Sequence, residues 1–148
     1  MDNNGLFNIL TEVLKPSGFK RKGNYWVING DEITKMVNLQ KSQFGSRYYI
    51  NFGYVINSIP LNGLMMHVYN RVTSSNPEEA KRIEELLDLD NTIPDADRYT
   101  ELRRFLIEKL SQKVEVVATE DDLLRYLKSQ APSILNMIPI EVKRHYNL

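Results

Sequence analysis

Residues 47–57 have the clearest strand pattern in the chain. Every second residue from Tyr48 to Ile56 is aromatic or branched aliphatic, whereas the alternate positions are Tyr49, Asn51, Gly53, Val55 and Asn57. Successive side chains of a β-strand point to opposite faces, so a strand here turns its whole apolar set to one side. A shift of one residue would expose that set to water. We therefore expect a sheet with one covered face, and the residues turned towards that face are Tyr48, Ile50, Phe52, Tyr54 and Ile56.

Three more strands are expected beside this one. Residues 25–28 form a short run of aromatic and β-branched side chains, which is typical of a strand. The dipeptide Asn29-Gly30 follows and suits the positive φ angles of a type I′ hairpin turn. Residues 32–42 are predicted to form the second strand, and residues 64–72 the fourth. Short connections between these segments favour antiparallel pairing of neighbours.

Helical spacing occurs before and after the strands. The apolar residues from Leu6 to Leu14 recur on one helical face, and Pro16 to Gly18 should end that helix. A second helix is expected after Ser75, since proline and two acidic residues suit a first turn. Its buried stripe is Ile83, Leu86 and Leu87.

Two further helices are predicted in the second half of the chain. One covers residues 95–112, and the other covers residues 123–129 after a capping box formed by Thr119 and Asp122. Residues 114–118 fit either an extended link or an edge strand. After Pro132 the pattern is weak, because Pro139 interrupts the apolar residues between 134 and 142.

The order of these elements defines the expected fold class. One helix, four strands and then helices indicate an α+β protein with an antiparallel four-stranded meander sheet, or a five-stranded sheet if residues 114–118 pair. The N-terminal helix and the C-terminal helices are expected to pack on one face of the sheet. No repeat, low-complexity tract or linker interrupts the chain, so residues 1–148 are predicted to form a single domain.

The absence of cysteine excludes several kinds of chemistry. It removes disulfides, thiolate nucleophiles and thiolate metal sites. The two histidines, His67 and His145, lie far apart in the sequence, and no carboxylates have the spacing of a calcium loop. No glycine-rich phosphate loop is present. We expect no metal and no cofactor.

The charge balance bears on partners and location. The chain has 19 basic and 19 acidic side chains, whereas proteins that bind nucleic acids usually have a basic excess. Lys20 to Lys22 lie beside Tyr25 and Trp26, a pattern that fits either a nucleic-acid grip or a solvated turn, and the balanced charge favours the turn. No apolar run approaches the roughly 18 residues of a membrane span. We expect a cytoplasmic protein with no membrane partner and no nucleic-acid partner.

Three segments of the first half carry a resemblance to a known family. They are Phe19-Lys20-Arg21-Lys22-Gly23, Leu39-Gln40-Lys41-Ser42-Gln43-Phe44-Gly45 and Tyr49-Ile50-Asn51-Phe52-Gly53. In these the chain resembles a bacterial family known as domain of unknown function 4304. The resemblance supports the predicted fold and brings no activity with it.

The candidate site is the polar face that the buried face leaves outside. Strand parity turns the same kinds of side chain outwards on three predicted strands: amides, hydroxyls, one imidazole and one guanidinium. Amides and hydroxyls both donate and accept hydrogen bonds, and Arg and Tyr are favoured in binding hot spots. The predicted binding residues are Asn38, Gln40, Ser42, Tyr49, Asn51, His67, Tyr69 and Arg71.

Two functional hypotheses follow. In the first, the chain is a non-enzymatic binding protein of the bacterial cytosol, immunity-like or adaptor-like, and its outer sheet face recognises another protein. In the second, it binds or converts a small molecule, with His67 as a general base and Arg71 holding an anion. A deep pocket over the fourth strand would favour the second hypothesis, and an open face would favour the first.

Overall fold

The sheet has five antiparallel strands in the order in which they occur along the chain. The structure is a computed structural model that describes residues 1–130 and 132–148. Sequential antiparallel pairing confirms the meander and the α+β class. The strands are β1 (Lys20–Lys22), β2 (Tyr25–Asn29), β3 (Ile33–Lys41), β4 (Tyr48–Ile56) and β5 (Val68–Arg71).

The strand predictions need three corrections. The fifth strand is β1, whereas residues 114–118 leave a helix and continue as a turn. The prediction of a type I′ turn is wrong, because β2 and β3 are joined by the three-residue loop 30–32 and neither Asn29 nor Gly30 has a positive φ. The last strand is shorter than predicted, because the ring of His67 accepts the N–H of Ile56 where further backbone pairing would continue the ladder.

One helix precedes the strands in the sequence, and the other helices follow them. Asp2 caps the first helix through Gly5 N–H, and Asn76 caps the second through two backbone N–H groups. The capping box of Thr119 and Asp122 is confirmed. The helices are α1 (Asn3–Leu14), α2 (Pro77–Leu87), α3 (Asp95–Leu106), α4 (Gln112–Val114), α5 (Glu120–Lys128), α6 (Pro132–Leu135) and α7 (Ile140–Tyr146), with a π-helical turn, Ile107–Ser111, joining α3 to α4.

Two hydrophobic clusters join the helices to the same side of the sheet. In the larger one, α1, α2 and α3 cover Trp26, Val37 and Phe52 with their neighbours of the same parity. In the smaller one, α5 and α7 cover Ile33, Tyr54 and other side chains near the far end of β4. The five apolar side chains predicted to face inwards from β4 are all buried, so this prediction is confirmed.

The burial of Phe52 can be measured as stability. Phe52 is 4% exposed inside the larger cluster, so Phe52→Ala should lower the free energy of unfolding by about 3–5 kcal/mol. Phe44→Ala is the matched control: Phe44 is 82% exposed, and its loss should change stability by at most about 0.5 kcal/mol. Equal effects of the two substitutions in chemical denaturation would show that the wrong face of β4 has been assigned to the core.

Candidate functional site

The pairing register brings five of the predicted site residues together on the outer face of the sheet. Asn38 of β3 lies opposite Asn51 of β4, and Arg71 of β5 lies opposite Asn51 on the other side. Gln40 lies opposite Tyr49, two residues further along the same pair of strands. Residues directly opposite in an antiparallel pair share a face, so these five side chains form one patch across three strands.

Asn51 is the centre of this patch. Its Nδ2 donates to Gln40 Oε1 at 2.9 Å and to Asn38 Oδ1 at 3.2 Å, and its Oδ1 accepts from Arg71 Nε at 3.3 Å. Although it belongs to the outer face, Asn51 is only 2% exposed and Asn38 only 5%. The neighbouring side chains therefore shield a hydrogen-bonded amide pair from water.

Arg71 is held in place by a second contact. Its guanidinium carbon lies 4.1 Å from the centre of the Tyr49 ring, a cation–π geometry. The side chain of Arg71 is nevertheless exposed, as is that of Gln40. The patch thus presents one cation and one amide whose positions are already set by Asn51 and Tyr49.

Tyr69 stands beside the patch on the edge strand. It is 60% exposed and lies opposite Gly53, where a side chain could not fit. A Cβ at Gly53 would be 2.0 Å from the Val68 carbonyl oxygen and 2.6 Å from Tyr69 Cα. Because both are backbone atoms of β5, glycine is required for this close approach of the two strands.

His67 does not belong to the outer face, which corrects the prediction. It is 1% exposed; its Nδ1 accepts the Ile56 N–H at 2.9 Å, and Nε2 lies 3.0 Å from the Pro60 carbonyl oxygen. Since Nδ1 is the acceptor, the ring proton sits on Nε2 and is donated to Pro60. Both nitrogens thus complete backbone hydrogen bonds at the end of the β4–β5 ladder.

Ser42 also lies apart from the patch. It follows the last residue of β3, and its hydroxyl accepts the backbone N–H of Phe44 at 3.2 Å. Its own N–H donates to the Arg47 carbonyl. The structure therefore places Ser42 in the turn between β3 and β4 rather than on the open face.

Sequence reasoning missed the part that β1 plays. Lys20 lies opposite Val27 and Lys22 opposite Tyr25, so both lysines extend the outer face on its other side. The alternation of inward and outward side chains in β2, where Tyr25 is outward and Trp26 inward, is the sequence signal that could have predicted the outward position of the two lysines. Trp26 has the opposite parity: it is buried and donates to Thr11 Oγ1 at 3.1 Å. The pair of adjacent aromatic side chains considered for nucleic-acid stacking is therefore divided between the two faces.

The charge of the outer face is one-sided. The outward positions of the five strands carry three cations, Lys20, Lys22 and Arg71, and no carboxylate. The whole chain is balanced at 19 basic and 19 acidic side chains, so the acids lie elsewhere. The face is a locally basic surface with three tyrosines, Tyr25, Tyr49 and Tyr69, and it also carries the half-buried apolar side chains of Val27, Met36 and Val55.

Comparison with known proteins identifies the family. The family model described as Domain of unknown function (DUF4304) matches residues 10–127. An α+β protein with an open, polar sheet face is the class that the fold defines, and the chain belongs to the DUF4304 family. The comparisons find no match among curated proteins and none among solved structures. Among the helices of residues 1–130 and 132–148, none is long and apolar enough to cross a membrane.

The amide network gives a stability prediction. Asn51→Ala removes the donor shared by Asn38 and Gln40 and the acceptor of Arg71, leaving the oxygen of the buried Asn38 amide without a donor. The expected loss of unfolding free energy is about 1–3 kcal/mol. Gln43→Ala is the control, because it removes an exposed amide from the β3–β4 turn and should cost at most about 0.5 kcal/mol. Urea denaturation curves that coincide for the two variants would contradict the network.

Proposed function

We propose that this protein is a non-enzymatic binding protein of the bacterial cytosol, immunity-like or adaptor-like, whose outer sheet face recognises another protein. The observation that carries the proposal is the hydrogen-bonded patch around Asn51 on a face that neither hydrophobic cluster covers.

The composition of the face suits protein recognition. Arg and Tyr are enriched among residues that dominate binding energy, and here Arg71 is stacked on Tyr49 before any partner arrives. A side chain that is already ordered loses less entropy on binding. The patch therefore combines exposed hydrogen-bonding groups with a low ordering cost.

The size of the face also suits a protein partner. Nine residues of β3 and β4 at about 3.3 Å each extend for about 30 Å, and five strands about 4.8 Å apart span about 20 Å. The product, at most roughly 600 Å², approaches the roughly 800 Å² that each protein contributes to a standard interface. A small ligand would use only a fraction of this surface.

The charge of the face indicates which partner surface fits. Lys20, Lys22 and Arg71 are the ionised side chains on the outward strand positions. Electrostatic complementarity favours an acidic partner surface and makes association sensitive to salt. We therefore expect a partner that presents carboxylates to this face.

The small-molecule hypothesis has weaker support. It assigned a general base to His67, but both ring nitrogens of His67 already bind backbone groups. His67 is also buried at the end of the β4–β5 ladder, whereas Tyr69 and Arg71 are exposed. His67 and Tyr69 line one cleft of about 300 Å³ that Arg71 does not line, so the three residues do not form one constellation around a ligand.

Site-directed photo-cross-linking tests the proposal. A photoreactive phenylalanine derivative at Tyr69 should capture one discrete protein from lysate of the cells that make this chain, whereas the same group at exposed Ile140 of α7 should not. Gln40→Ala combined with Arg71→Ala should lower the yield from position 69 about tenfold or more, as loss of a hot spot does.

The controls separate binding from folding. Arg144→Ala, which removes a cation from exposed α7, should leave the yield unchanged, and thermal melts should show that every variant stays folded. Raising the salt concentration should reduce capture. Capture of the same protein from position 140 but not from position 69, or an unchanged yield in the double variant, would place the binding surface elsewhere.

A further inference from the structure

A cleft lies under the edge strand β5, on the opposite side of the sheet from the Asn51 patch. Its volume is about 610 Å³, within the range of roughly 300–1,000 Å³ that is usual for small-molecule sites. One wall is β5 and the Thr73–Ser75 loop, and the other is the π-helical turn and α4 together with α5. We call this space the β5 cleft; the side chains that matter here are Tyr54, Asn70, Arg71, Lys109, Lys113 and Tyr126.

The charge of the β5 cleft is one-sided. Two lysines line it, Lys109 and Lys113, and the lining includes no carboxylate; Arg71 also borders it, but its guanidinium lies against Tyr49 on the outer face. Glu79 approaches Lys109 at 3.7 Å from outside this lining. Within residues 1–130 and 132–148, Lys113 forms no ion pair within 4.0 Å. A cleft of this kind attracts anions.

The backbone places the two lysines side by side. Lys109 belongs to the π-helical turn Ile107–Ser111, and Lys113 follows four residues later in α4. Residues four apart on a helix lie on one face, so both reach the same cleft. π-Helical turns occur frequently at functional sites, since they change the direction in which side chains project.

The β5 cleft also contains unused hydrogen-bonding capacity. The hydroxyl oxygen of Tyr126 accepts from Asn70 Nδ2, and among the described residues its proton has no acceptor. The hydroxyl of buried Tyr54 reaches the Lys113 carbonyl only at 3.5 Å, a long hydrogen bond. Burial raises the pKa of both tyrosines, which keeps these groups protonated and able to donate.

We propose that the β5 cleft binds a small organic anion, in which Lys109 and Lys113 hold a phosphate or carboxylate group and the aromatic side chains contact an apolar body. Phe52, Tyr54 and Tyr126 supply that aromatic surface. The hydroxyl of Tyr126 donates to the anion. This site is independent of protein recognition by the outer face, although Arg71 borders both.

Nuclear magnetic resonance titration with simple probes tests the site. Phenyl phosphate and benzoate carry the two anionic groups on the same ring, and phenol is the neutral control. Saturable shifts are expected for the amides of Asn70, Lys109 and Lys113 with at least one of the two anions, and phenol should produce none there. The anion that binds more tightly identifies the group that the cleft prefers.

Matched substitutions complete the test. Lys109→Gln combined with Lys113→Gln should weaken binding at least about tenfold, since each removes a charge-assisted hydrogen bond. Lys81→Gln, which removes an exposed cation from the solvent side of α2, should leave the affinity unchanged. An unchanged spectrum outside the cleft shows that the double variant is folded. Shifts that fail to saturate, that map elsewhere, that phenol reproduces or that survive the double substitution would overturn the proposal.

Discussion

The two-residue period of β4 is the constraint on which the rest of this structure depends. β4 pairs with β3 over nine residues and with β5 on its other side, so its alternation is imposed on the centre of the sheet. Tyr48, Ile50 and Phe52 face inwards and require the helices to cover them. The same alternation leaves Tyr49 and Asn51 on the outer face, where the helices do not pack. The inward side chains of β4 thus belong to the core, and its outward side chains belong to the candidate site.

The outer face is unusual in burying part of its polar content. A shielded amide is costly unless its donors and acceptor are satisfied, and Asn51 meets this condition with three neighbours on two adjacent strands. A satisfied network of this kind fixes the orientation of its side chains, whereas solvated side chains would adopt many orientations. It orients Gln40 and Arg71 while their outer atoms stay exposed. Stability of the sheet and preparation of the face for a partner therefore rest on the same hydrogen bonds.

Much of the fold could be predicted because the spacing of apolar residues along the sequence indicates which side chains are buried. The inward set of β4, the stripe of α2 and the capping box of α5 each follow from local spacing. Pairing across strands was predictable in the same way, which is why Asn38, Gln40, Tyr49, Asn51 and Arg71 meet. Strand parity describes a face, however, and does not describe whether a side chain on that face is exposed. The burial of Asn51 results from its neighbours, which spacing does not reveal.

The features that sequence reasoning missed are contacts that local periodicity does not report. His67 has outward parity, yet its ring replaces a ladder partner of Ile56 and so ends β5 early. Asn70 has inward parity among apolar neighbours and is satisfied by Tyr126, a residue 56 positions away. β1 was read as a turn because a strand of three basic residues has no apolar pattern. Each of these depends on a partner outside the segment whose spacing was used for the prediction.

Exchange of side-chain amide hydrogens tests the organised outer face most directly. Both Nδ2 hydrogens of Asn51 are donated, whereas the amide of Gln43 lies in the exposed β3–β4 turn. In a ¹⁵N-labelled sample the Asn51 side-chain hydrogens should exchange with water at least about tenfold more slowly than those of Gln43, since exchange requires the network to open. Exchange of Asn51 at the rate of Gln43 would mean that the network does not persist in solution and would contradict the account.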